Sequence, residues 1–382
     1  MFFILLLALV WPLASIWGCS RLRGVSSLKL DPVHHTGPWP TVSVLVPARN
    51  EELTLAPALE SLRTLDYPNL EIILINDRST DRTLEVMQRV ASRDERVRVV
   101  EVDQLPTGWM GKANALQLGL GHATGEWILF TDADVVFDPQ SLKKAVTHVL
   151  THGLDHLALA VHFIFSTPWI APFCSFCVAI MGLVTNFKNI DNPSTKDAMG
   201  VGAFQIVRRS ALDKTEGLAW LRMEPIEDVG LARMLKNSGA KVSFLAGRNE
   251  VKVDWYPTFG ALLKGAGSRS MVVARYRYKL LLIKIILSTV GCLAPILVIL
   301  HGGIAAAVVV FAWAVASACI AYEGNRVMGI PKRWGCLMPV GAVMFLICLV
   351  YSCIQSLRVG GLYWRGRVYP LAELRELQRV RI

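Results

Sequence analysis

Apolar and polar positions follow two different patterns along this chain. Between residues 42 and 130, short β-branched or apolar runs alternate with segments in which apolar residues recur at helical spacing. The runs predict strands and the intervening segments predict helices: strands at Val42–Val46, Glu71–Ile75, Val97–Val102 and Trp127–Phe130, and helices at Leu53–Leu65, Arg82–Ser92 and Ala113–Gly121. This alternation predicts an α/β domain with a mostly parallel sheet and helices on both of its faces.

The hydrophobic fraction of the chain is 53%, and the hydrophobic residues are concentrated in three long apolar stretches at 1–18, 285–322 and 336–356. A helix of about 20 apolar residues crosses the hydrocarbon core of a bilayer. Residues 303–322 and 336–356 therefore predict transmembrane helices, whereas Lys284 and Pro295 interrupt 280–300 and make it a weaker candidate. If that weaker segment lies in the membrane interface, the basic tail 357–382 returns to the cytosol, which is the arrangement that we favour.

The N-terminal stretch resembles a secretory signal by its length. It has no basic residues ahead of the apolar run, and Arg21 and Arg23 follow it. Residues 1–20 are therefore predicted to be an uncleaved signal anchor whose C-terminal side lies in the cytosol. Residues 21–40 contain turn signals, among them Asp31-Pro32, and are predicted to be a linker.

A second apolar stretch, residues 157–187, is interrupted by Pro168 and Pro172. Two interpretations stay open for it. The segment forms core helices of the α/β domain, or it forms interfacial helices that lie among lipid headgroups.

The formal net charge of +10 does not indicate nucleic acid binding, because no run of Lys and Arg with interleaved aromatic residues is present. Much of the positive charge flanks apolar segments, for example at Arg275, Lys279 and Arg333. This placement favours contact with anionic lipid headgroups and a membrane as partner.

The 8 cysteines lie in or beside apolar segments, and residues 40–156 contain none of them. Neither a disulfide framework nor a zinc site is indicated. Cys174 and Cys177 have CxxC spacing, but without a second ligand pair we interpret them as small apolar side chains in a buried helix.

Two carboxylates separated by one residue, Asp132 and Asp134, directly follow the strand Trp127–Phe130. Acids at such a strand end can share one hard cation, and Mg²⁺ or Mn²⁺ binds carboxylate oxygens together with substrate phosphates. Ligands of parallel α/β sheets bind beyond the carboxyl ends of the strands. We therefore interpret Asp132 and Asp134 as a metal-binding pair.

Other polar side chains follow neighbouring strands. Asn50 and Glu51 follow the first strand, and Asp77 follows the second, where its carboxylate could accept a hydrogen bond from a uracil ring. Lys112 lies near a helix N-terminus, a position that the helix dipole makes unfavourable for a cation unless an anion such as a phosphate shares the site. These positions predict a site for a nucleotide and its phosphates.

The ordered set of motifs resembles the family 2 inverting glycosyltransferases with the GT-A fold, a Rossmann-like fold, over residues 40–256. The resemblance rests on the segments from Val42 to Glu51, Asn76 to Thr83, Asp132 to Asp134, Gly200 to Arg209 and Glu224 to Leu231. The resemblance implies that the donor is bound by Pro47, Ala48, Asn50, Glu51, Asp77, Lys112 and Asp132, and that the metal is bound by Asp132 and Asp134. It implies that Gly202, Ala203 and Phe204 lie on the acceptor side. It also implies that Asp228 is the catalytic base and that Glu227 positions it.

The resemblance implies a GT-A domain over 41–260, interfacial and transmembrane helices over 261–356, and a basic tail from 357. The tail is similar to bacterial enzymes associated with carotenoid or hopanoid glycosylation, which implies a lipid acceptor, an inner-membrane location and a cytosolic catalytic domain. The stretch from Lys264 to Met271 lacks the Q-x-x-R-W motif of processive synthases. Lipid monoglycosylation is therefore favoured over exopolysaccharide synthesis, and a non-catalytic binding protein on the same scaffold is the third alternative.

Overall fold

The computed structural model describes residues 2–28 and 37–380, and the contacts in it divide the chain into two units. The sheet unit consists of Val25–His162 and Asn189–Val253. The helical unit consists of Met1–Gly24, Phe163–Lys188 and Asp254–Ile382. Each unit is therefore assembled from segments that are distant in the sequence, unlike the continuous domain expected over 41–260.

The helices and strands have the following bounds. The strands are β1 (Ser26–Ser27), β2 (Val42–Ala48), β3 (Leu70–Asn76), β4 (Val97–Glu101), β5 (Trp127–Phe130), β6 (Val136–Phe137), β7 (His156–Ala160), β8 (His162–Phe163), β9 (Gln205–Arg208), β10 (Val242–Ala246), β11 (Val251–Val253), β12 (Leu362–Trp364) and β13 (Arg367–Tyr369). The helices are α1 (Phe2–Leu22), α2 (Leu55–Arg63), α3 (Thr83–Ala91), α4 (Gly111–His122), α5 (Ser141–His152), α6 (Ala171–Val184), α7 (Arg209–Leu212), α8 (Glu227–Asn237), α9 (Phe259–Leu262), α10 (Ser268–Val273), α11 (Tyr278–His301), α12 (Gly303–Met328), α13 (Lys332–Gly335), α14 (Met338–Val359) and α15 (Leu371–Leu377).

The main sheet has the strand order β1-β10-β7-β9-β5-β2-β3-β4. Strand β9 runs antiparallel to β5 and β7, and the other neighbours are parallel. The prediction of a mostly parallel α/β sheet is confirmed. Residues of β2 are buried along the whole strand, as expected for a central strand covered on both faces.

Strand β2 continues through Pro47, two residues beyond the apolar run that predicted it. Strand β5 pairs with β2 only as far as Leu45, which lies opposite Phe130. Beyond that point β2 is paired by β3 alone, and a proline is tolerated where a strand is paired on one side.

Part of the predicted linker is an edge strand. Ser26 and Ser27 pair in parallel with Leu245 and Ala246 of β10. Two serines carry no apolar alternation, so the hydrophobic pattern gives no sign of this strand. The Asp31-Pro32 turn signal lies outside the described residues.

The apolar stretch 157–187 is divided between the two units. Its first residues form β7 in the core of the sheet unit, where every residue of the strand is buried. Its second half forms α6, which belongs to the helical unit. Neither of the two interpretations offered for this stretch describes the whole of it.

Among the described residues, four helices are long and apolar enough to cross a membrane, by length and composition: α1, α11, α12 and α14. Helix α11 is continuous over 24 residues, although it contains Lys284 and Pro295. Lys284 and Pro295 interrupt the apolar run but not the helix, and whether this segment crosses a membrane stays a prediction. Proline is tolerated in apolar membrane helices because neighbouring helices and local adjustments satisfy the freed carbonyl.

Candidate active site

The polar side chains singled out in the sequence lie at the carboxyl edge of the main sheet. Asp77 directly follows β3, and Asp132 and Asp134 lie in the turn after β5, where both are partly exposed. Parallel strands bring these turns to the same edge, because Ala48, Asn76 and Phe130 end neighbouring strands of one ladder. The sheet topology thus places all three acids on the side where ligands bind in such folds.

Lys112, in the first turn of α4, is the central cation of the site. Its Nζ lies 2.6 Å from Asp132 Oδ1 and 2.6 Å from Glu227 Oε1. Burial disfavours the ammonium, but the charges of Asp132, Glu227 and Asp228 outweigh that effect and raise the pKa of Lys112 above its usual value. Carboxylates of the chain itself therefore supply the negative charge that we expected from a phosphate at this position.

Glu227 and Asp228 occupy the first turn of α8, where the helix dipole favours negative charge. Asp228 Oδ2 accepts a hydrogen bond from the Gly202 N–H at 3.0 Å, and Oδ1 accepts one from the Val229 N–H at 2.8 Å. Both acids reach the same site because they begin a helix; in a strand they would point to opposite faces.

The loop before β9 approaches the acids so closely that a side chain would not fit. A Cβ at Gly202 would lie 2.9 Å from Asp132 Oδ2 and 3.0 Å from Lys112 Nζ. At Gly200 a Cβ would collide with the carbonyl of Asp228. The two glycines are therefore required by the close packing of this loop against the charged residues.

Asp77 is buried, with 3% of its surface exposed. Its Oδ1 accepts a hydrogen bond from Arg78 Nε at 2.8 Å and forms an ion pair with Arg78 Nη2 at 2.7 Å. Its Oδ2 faces Gly111, the first residue of α4. Arg78 adopts a left-handed backbone conformation (φ 55°), which is uncommon outside glycine and often marks functional sites.

Asn50 and Glu51 support the loop after β3. Asn50 Oδ1 accepts a hydrogen bond from the Thr80 N–H at 2.8 Å, and the Glu51 N–H donates to Thr83 Oγ1 at 2.8 Å. Pro47 and Ala48 are buried within β2, and the Ala48 carbonyl accepts from the Asp77 N–H at 2.8 Å. The backbone of these residues positions Asp77, while the side chains of Pro47 and Ala48 face the core.

Of the three acceptor-side residues expected from the sequence, Gly202 lies beside the carboxylates. The Ala203 carbonyl accepts from Thr131 Oγ1 at 2.8 Å. Phe204 is fully buried and contacts Phe137, so its ring packs the core beneath the loop.

Sequence reasoning missed Gln205, whose buried side chain lines a cleft together with Lys112, Thr131, Gly202 and Glu227. Gln205 Oε1 lies 3.1 Å from Nε2 of His156, a fully buried histidine on β7 whose pKa burial lowers to about 4. A single glutamine within an apolar strand is the signal that could have revealed it, because buried polar side chains are uncommon without a role.

Sequence reasoning also missed Lys236 on α8. Its Nζ donates to the carbonyls of Ile190 (2.7 Å) and Asp197 (2.6 Å), and it also lies 3.2 Å from Thr195 Oγ1. Burial lowers the pKa of Lys236, and the charges of Asp197 and Asp191 oppose that shift. This lysine joins α8 to the segment that leads into the Gly200–Gly202 loop.

The donor set at the end of β5 fits a divalent cation that shares its coordination with a substrate. Asp132 and Asp134 supply carboxylate oxygens, the ligands that Mg²⁺ and Mn²⁺ prefer. Within residues 2–28 and 37–380, no group of three or more His, Cys, Asp and Glu side chains converges into a closed metal site. Two protein carboxylates would hold such an ion only in part, so substrate phosphate oxygens would complete its set of ligands.

Residues 43–215 match the family model described as Glycosyl transferase family 2. The acids at the sheet edge and the strand order agree with that match. Residues 43–215 therefore form a region that matches family 2 glycosyltransferases, and the fold around it is GT-A-like.

Three proteins illustrate the similarity. The 4,4'-diaponeurosporenoate glycosyltransferase of Staphylococcus haemolyticus is 24% identical over 66% of this chain and 67% of its own length. The beta-monoglucosyldiacylglycerol synthase of Nostoc sp. is 34% identical over 32% of this chain and 28% of its own. A third similar protein is the mannosyltransferase PcManGT of Pyrobaculum calidifontis, whose structure was solved in complex with GDP-Man and Mn²⁺. It superimposes on this chain with a TM-score of 0.55 at 17% identity, and the match covers 91% of this chain and 99% of PcManGT. This similarity concerns the fold.

The chain spans 35%, 55% and 49% of the length of three further relatives, all described as glycosyltransferases, from Haemophilus influenzae and Bacillus subtilis.

Proposed function

We propose that this chain is a membrane-bound inverting glycosyltransferase that moves one sugar from a nucleotide-sugar donor, a UDP-sugar, to the hydroxyl of a lipid. The observation that carries the proposal is the charged cluster at the sheet edge. Asp132, Glu227 and Asp228 all lie around the Lys112 ammonium, although they are distant in the sequence. Three carboxylates around one cation leave an acidic site that suits a metal-bound diphosphate.

Asp228 would act as the base that accepts the proton of the acceptor hydroxyl. Two backbone N–H groups, of Gly202 and Val229, already hold its oxygens in place, so the carboxylate is oriented before substrate binds. Inversion by direct displacement needs one base and no covalent nucleophile, so a second catalytic acid is not required. Glu227, held by Lys112, would position the start of α8.

Asp132 and Asp134 would hold Mg²⁺ or Mn²⁺. When bound, such an ion neutralises the charge that develops on the departing diphosphate. Lys112 would fix Asp132 at that position through its ion pair and so connect the metal ligand to α8. The fold of PcManGT, solved with GDP-Man and Mn²⁺, accommodates the same combination of nucleotide sugar and divalent ion.

Asp77 would contact the donor base from the loop after β3. Arg78 binds Oδ1 of this carboxylate, and Oδ2 faces the N-terminus of α4. A carboxylate accepts hydrogen bonds only, and uracil offers an N–H donor, which supports a uridine nucleotide. Replacement of Asp77 by Asn should raise the KM for the donor more than it lowers kcat.

The proposed acceptor is a lipid, a terpenoid or a polyprenyl lipid, at the cytosolic face of the bacterial inner membrane. Two relatives, described as a diaponeurosporenoate glycosyltransferase and a monoglucosyldiacylglycerol synthase, act on lipids by name. Four described helices have the length and hydropathy to cross a membrane, which supports multi-pass anchoring. A membrane anchor brings the site to an acceptor that is itself dissolved in the bilayer.

The test is incubation of membranes that contain the full chain with radiolabelled UDP-, GDP- and TDP-sugars, with and without chelator, followed by organic extraction. We expect label in the organic phase with a UDP-sugar and Mg²⁺ or Mn²⁺. Label in insoluble polymer would instead identify exopolysaccharide synthesis, and no incorporation with any donor would contradict a transferase role.

The metal assignment has a separate test. Asp134→Ala should weaken metal-dependent binding of the nucleotide sugar at least tenfold in calorimetry, because one of two protein ligands is lost. The partly exposed Asp138 in the same segment makes Asp138→Ala a matched control. Equal donor binding by the Asp134 variant and the native chain would remove Asp134 as a ligand.

A further inference from the structure

The ends of α1 and α12 meet at one end of the helical unit, which we call the near end. Arg326 Nη2, close to the end of α12, donates to the Leu22 carbonyl at the end of α1 at 2.7 Å. At the opposite end Ala8 of α1 packs with Val298 of α11 and Val309 of α12. The last turns of α1 and α12 and the first turn of α11 therefore lie together at the near end.

Helix α14 has both of its ends at the near end. Met338 and Ala342, in its first turns, pack with Cys19 of α1 and Ile320 of α12. Ser356, in its last turn, lies 3.0 Å from the hydroxyl of Tyr278, the first residue of α11. A helix of 22 residues is about 33 Å long, so it would reach the opposite end if it ran alongside the other three.

Between these ends, one face of α14 packs against short elements of the helical unit. Gly341 lies against Pro172 and Phe176 of α6, and Tyr351 lies against Gly267. The buried positions of α14, among them Met344, Cys348, Leu349 and Ser352, form this face.

The opposite face of α14 is apolar and exposed. Its side chains are Val340, Val343, Ile347, Val350, Ile354 and Leu357, and between 37% and 63% of each is accessible. Basic residues lie at both ends of the helix: Lys332 and Arg333 before it, Arg358 in its last turn and Arg365 after it. An apolar face bordered by cations matches acyl chains bordered by anionic headgroups.

We propose that α14 lies in the plane of the membrane at the near end, with its exposed face against acyl chains, and that α1, α11 and α12 are the helices that cross. This inference rests on the membrane anchoring in the proposed function and adds a definite topology to it. It puts the β12-β13 hairpin and the basic tail on the side where the chain leaves α1. That side then carries Arg358, Arg365 and Arg367, in agreement with the positive-inside bias.

Spin-label depths test the orientation of α14 directly. The full chain, with its 8 cysteines replaced by alanine or serine, receives one label at a time at Val340, Ile347 or Ile354 and is reconstituted in anionic phospholipid vesicles. The three α14 labels should lie at one depth, within about 3 Å. A spread of about 21 Å, the rise of 14 residues, would show that α14 crosses the bilayer and would overturn the inference.

Equally spaced exposed positions on α12 provide the control: Ile304, Phe311 and Ala318. Labels there should show the graded depths of a crossing helix. Aqueous values at all six positions would overturn the membrane anchoring itself, whereas graded depths on both helices would overturn only the in-plane position of α14.

A second measurement keeps the native cysteines. An epitope is fused after Ile382, and another is inserted after the exposed Lys214 in the sheet unit. In sealed vesicles of one orientation, added protease should remove both epitopes or neither. Removal of one without the other would place the tail across the membrane and contradict the inference.

Discussion

The sheet unit and the helical unit differ in where they keep their apolar side chains. Among the described large apolar side chains that are exposed, Leu53 belongs to the sheet unit, and the others belong to the helical unit. The sheet unit instead buries polar groups such as Asp77, Gln205 and His156. The sheet unit therefore keeps nearly all of its large apolar side chains inside, whereas the helical unit exposes many of them, as the proposed membrane anchoring requires.

The buried and half-buried polar groups of the sheet unit are where chemistry is expected, and the largest predicted effect tests this. Asp228→Asn should lower kcat by about 10³-fold, in the range for loss of a general base, because the amide cannot accept the acceptor proton. Donor binding should stay within about twofold, since Asn keeps the shape and can still accept from the Gly202 N–H. Radiolabel transfer and calorimetry measure the two quantities.

Asp213, exposed in the same unit, provides the control for that experiment. Asp213→Asn should leave both quantities unchanged. Turnover by the Asp228 variant within tenfold of the native rate would show that the base lies elsewhere.

Replacing one exposed apolar side chain by lysine in each unit tests whether the surface of the helical unit, unlike that of the sheet unit, contacts lipid. Phe311 on α12 and Leu53 in the sheet unit are both exposed, at 71% and 87%. Phe311→Lys should disfavour insertion by about 3 kcal/mol, because an ammonium would lie near the middle of an apolar helix. Leu53→Lys should change the free energy of unfolding by less than about 0.5 kcal/mol. The carbonate-resistant membrane fraction and thermal unfolding give the two values, and equal effects would refute the distinction.

His156 gives the sheet unit a pH dependence of its own. Its pKa is lowered from 6.5 to about 4 by burial, so the unfolded chain binds the proton more strongly than the folded chain does. Stability is therefore fully present above about pH 7 and is lost as the pH falls through 6.5 towards 4. Between pH 7 and pH 5 the loss should be about 2 kcal/mol.

Urea unfolding of the purified chain in detergent, followed by a signal from the sheet unit, measures this dependence. His156→Gln should remove most of the slope, since glutamine does not titrate. A slope that survives in this variant would assign the pH dependence to other groups.

The smallest predicted effect concerns the fit of the Gly200–Gly202 loop. Gly202→Ala should lower kcat/KM about tenfold, equivalent to about 1.4 kcal/mol, because its Cβ would displace Lys112 or Asp132 from their ion pair. Gly121→Ala on α4, where nothing lies within 4 Å, should leave kcat/KM unchanged and serves as control. Steady-state rates of both variants decide whether the close approach matters.

The sequence predicted the strands of the parallel sheet well, because Val42–Val46 and Trp127–Phe130 are continuous apolar runs bounded by turns. It did not predict β1, since two serines carry no hydrophobic pattern. The sequence alone also did not show that α11 is continuous, because Lys284 and Pro295 interrupt its apolar pattern. Whether a helix in an apolar unit stays continuous depends on the helices that pack against it, and the local sequence pattern does not show these.

For the site, the sequence identified acids that the fold brings to one edge, because parallel strands end there. It did not predict that Lys112 would be held by Asp132 and Glu227, since ion pairs between distant residues depend on tertiary structure. Gln205 escaped notice because its partner, the buried imidazole of His156, is distant in the sequence. Arg78 is next to Asp77, but its ion pair gains importance only when the burial of that carboxylate is known.

The edge strand β1 has a practical consequence for protein production. Ser26, Ser27 and the Leu28 N–H cover the outer edge of β10, with a hydrogen bond of 3.0 Å from Leu28 to the Ala246 carbonyl. Truncation downstream of these residues would leave β10 as an unprotected sheet margin, open to strand exchange with other copies. Soluble fragments should therefore start ahead of Val25.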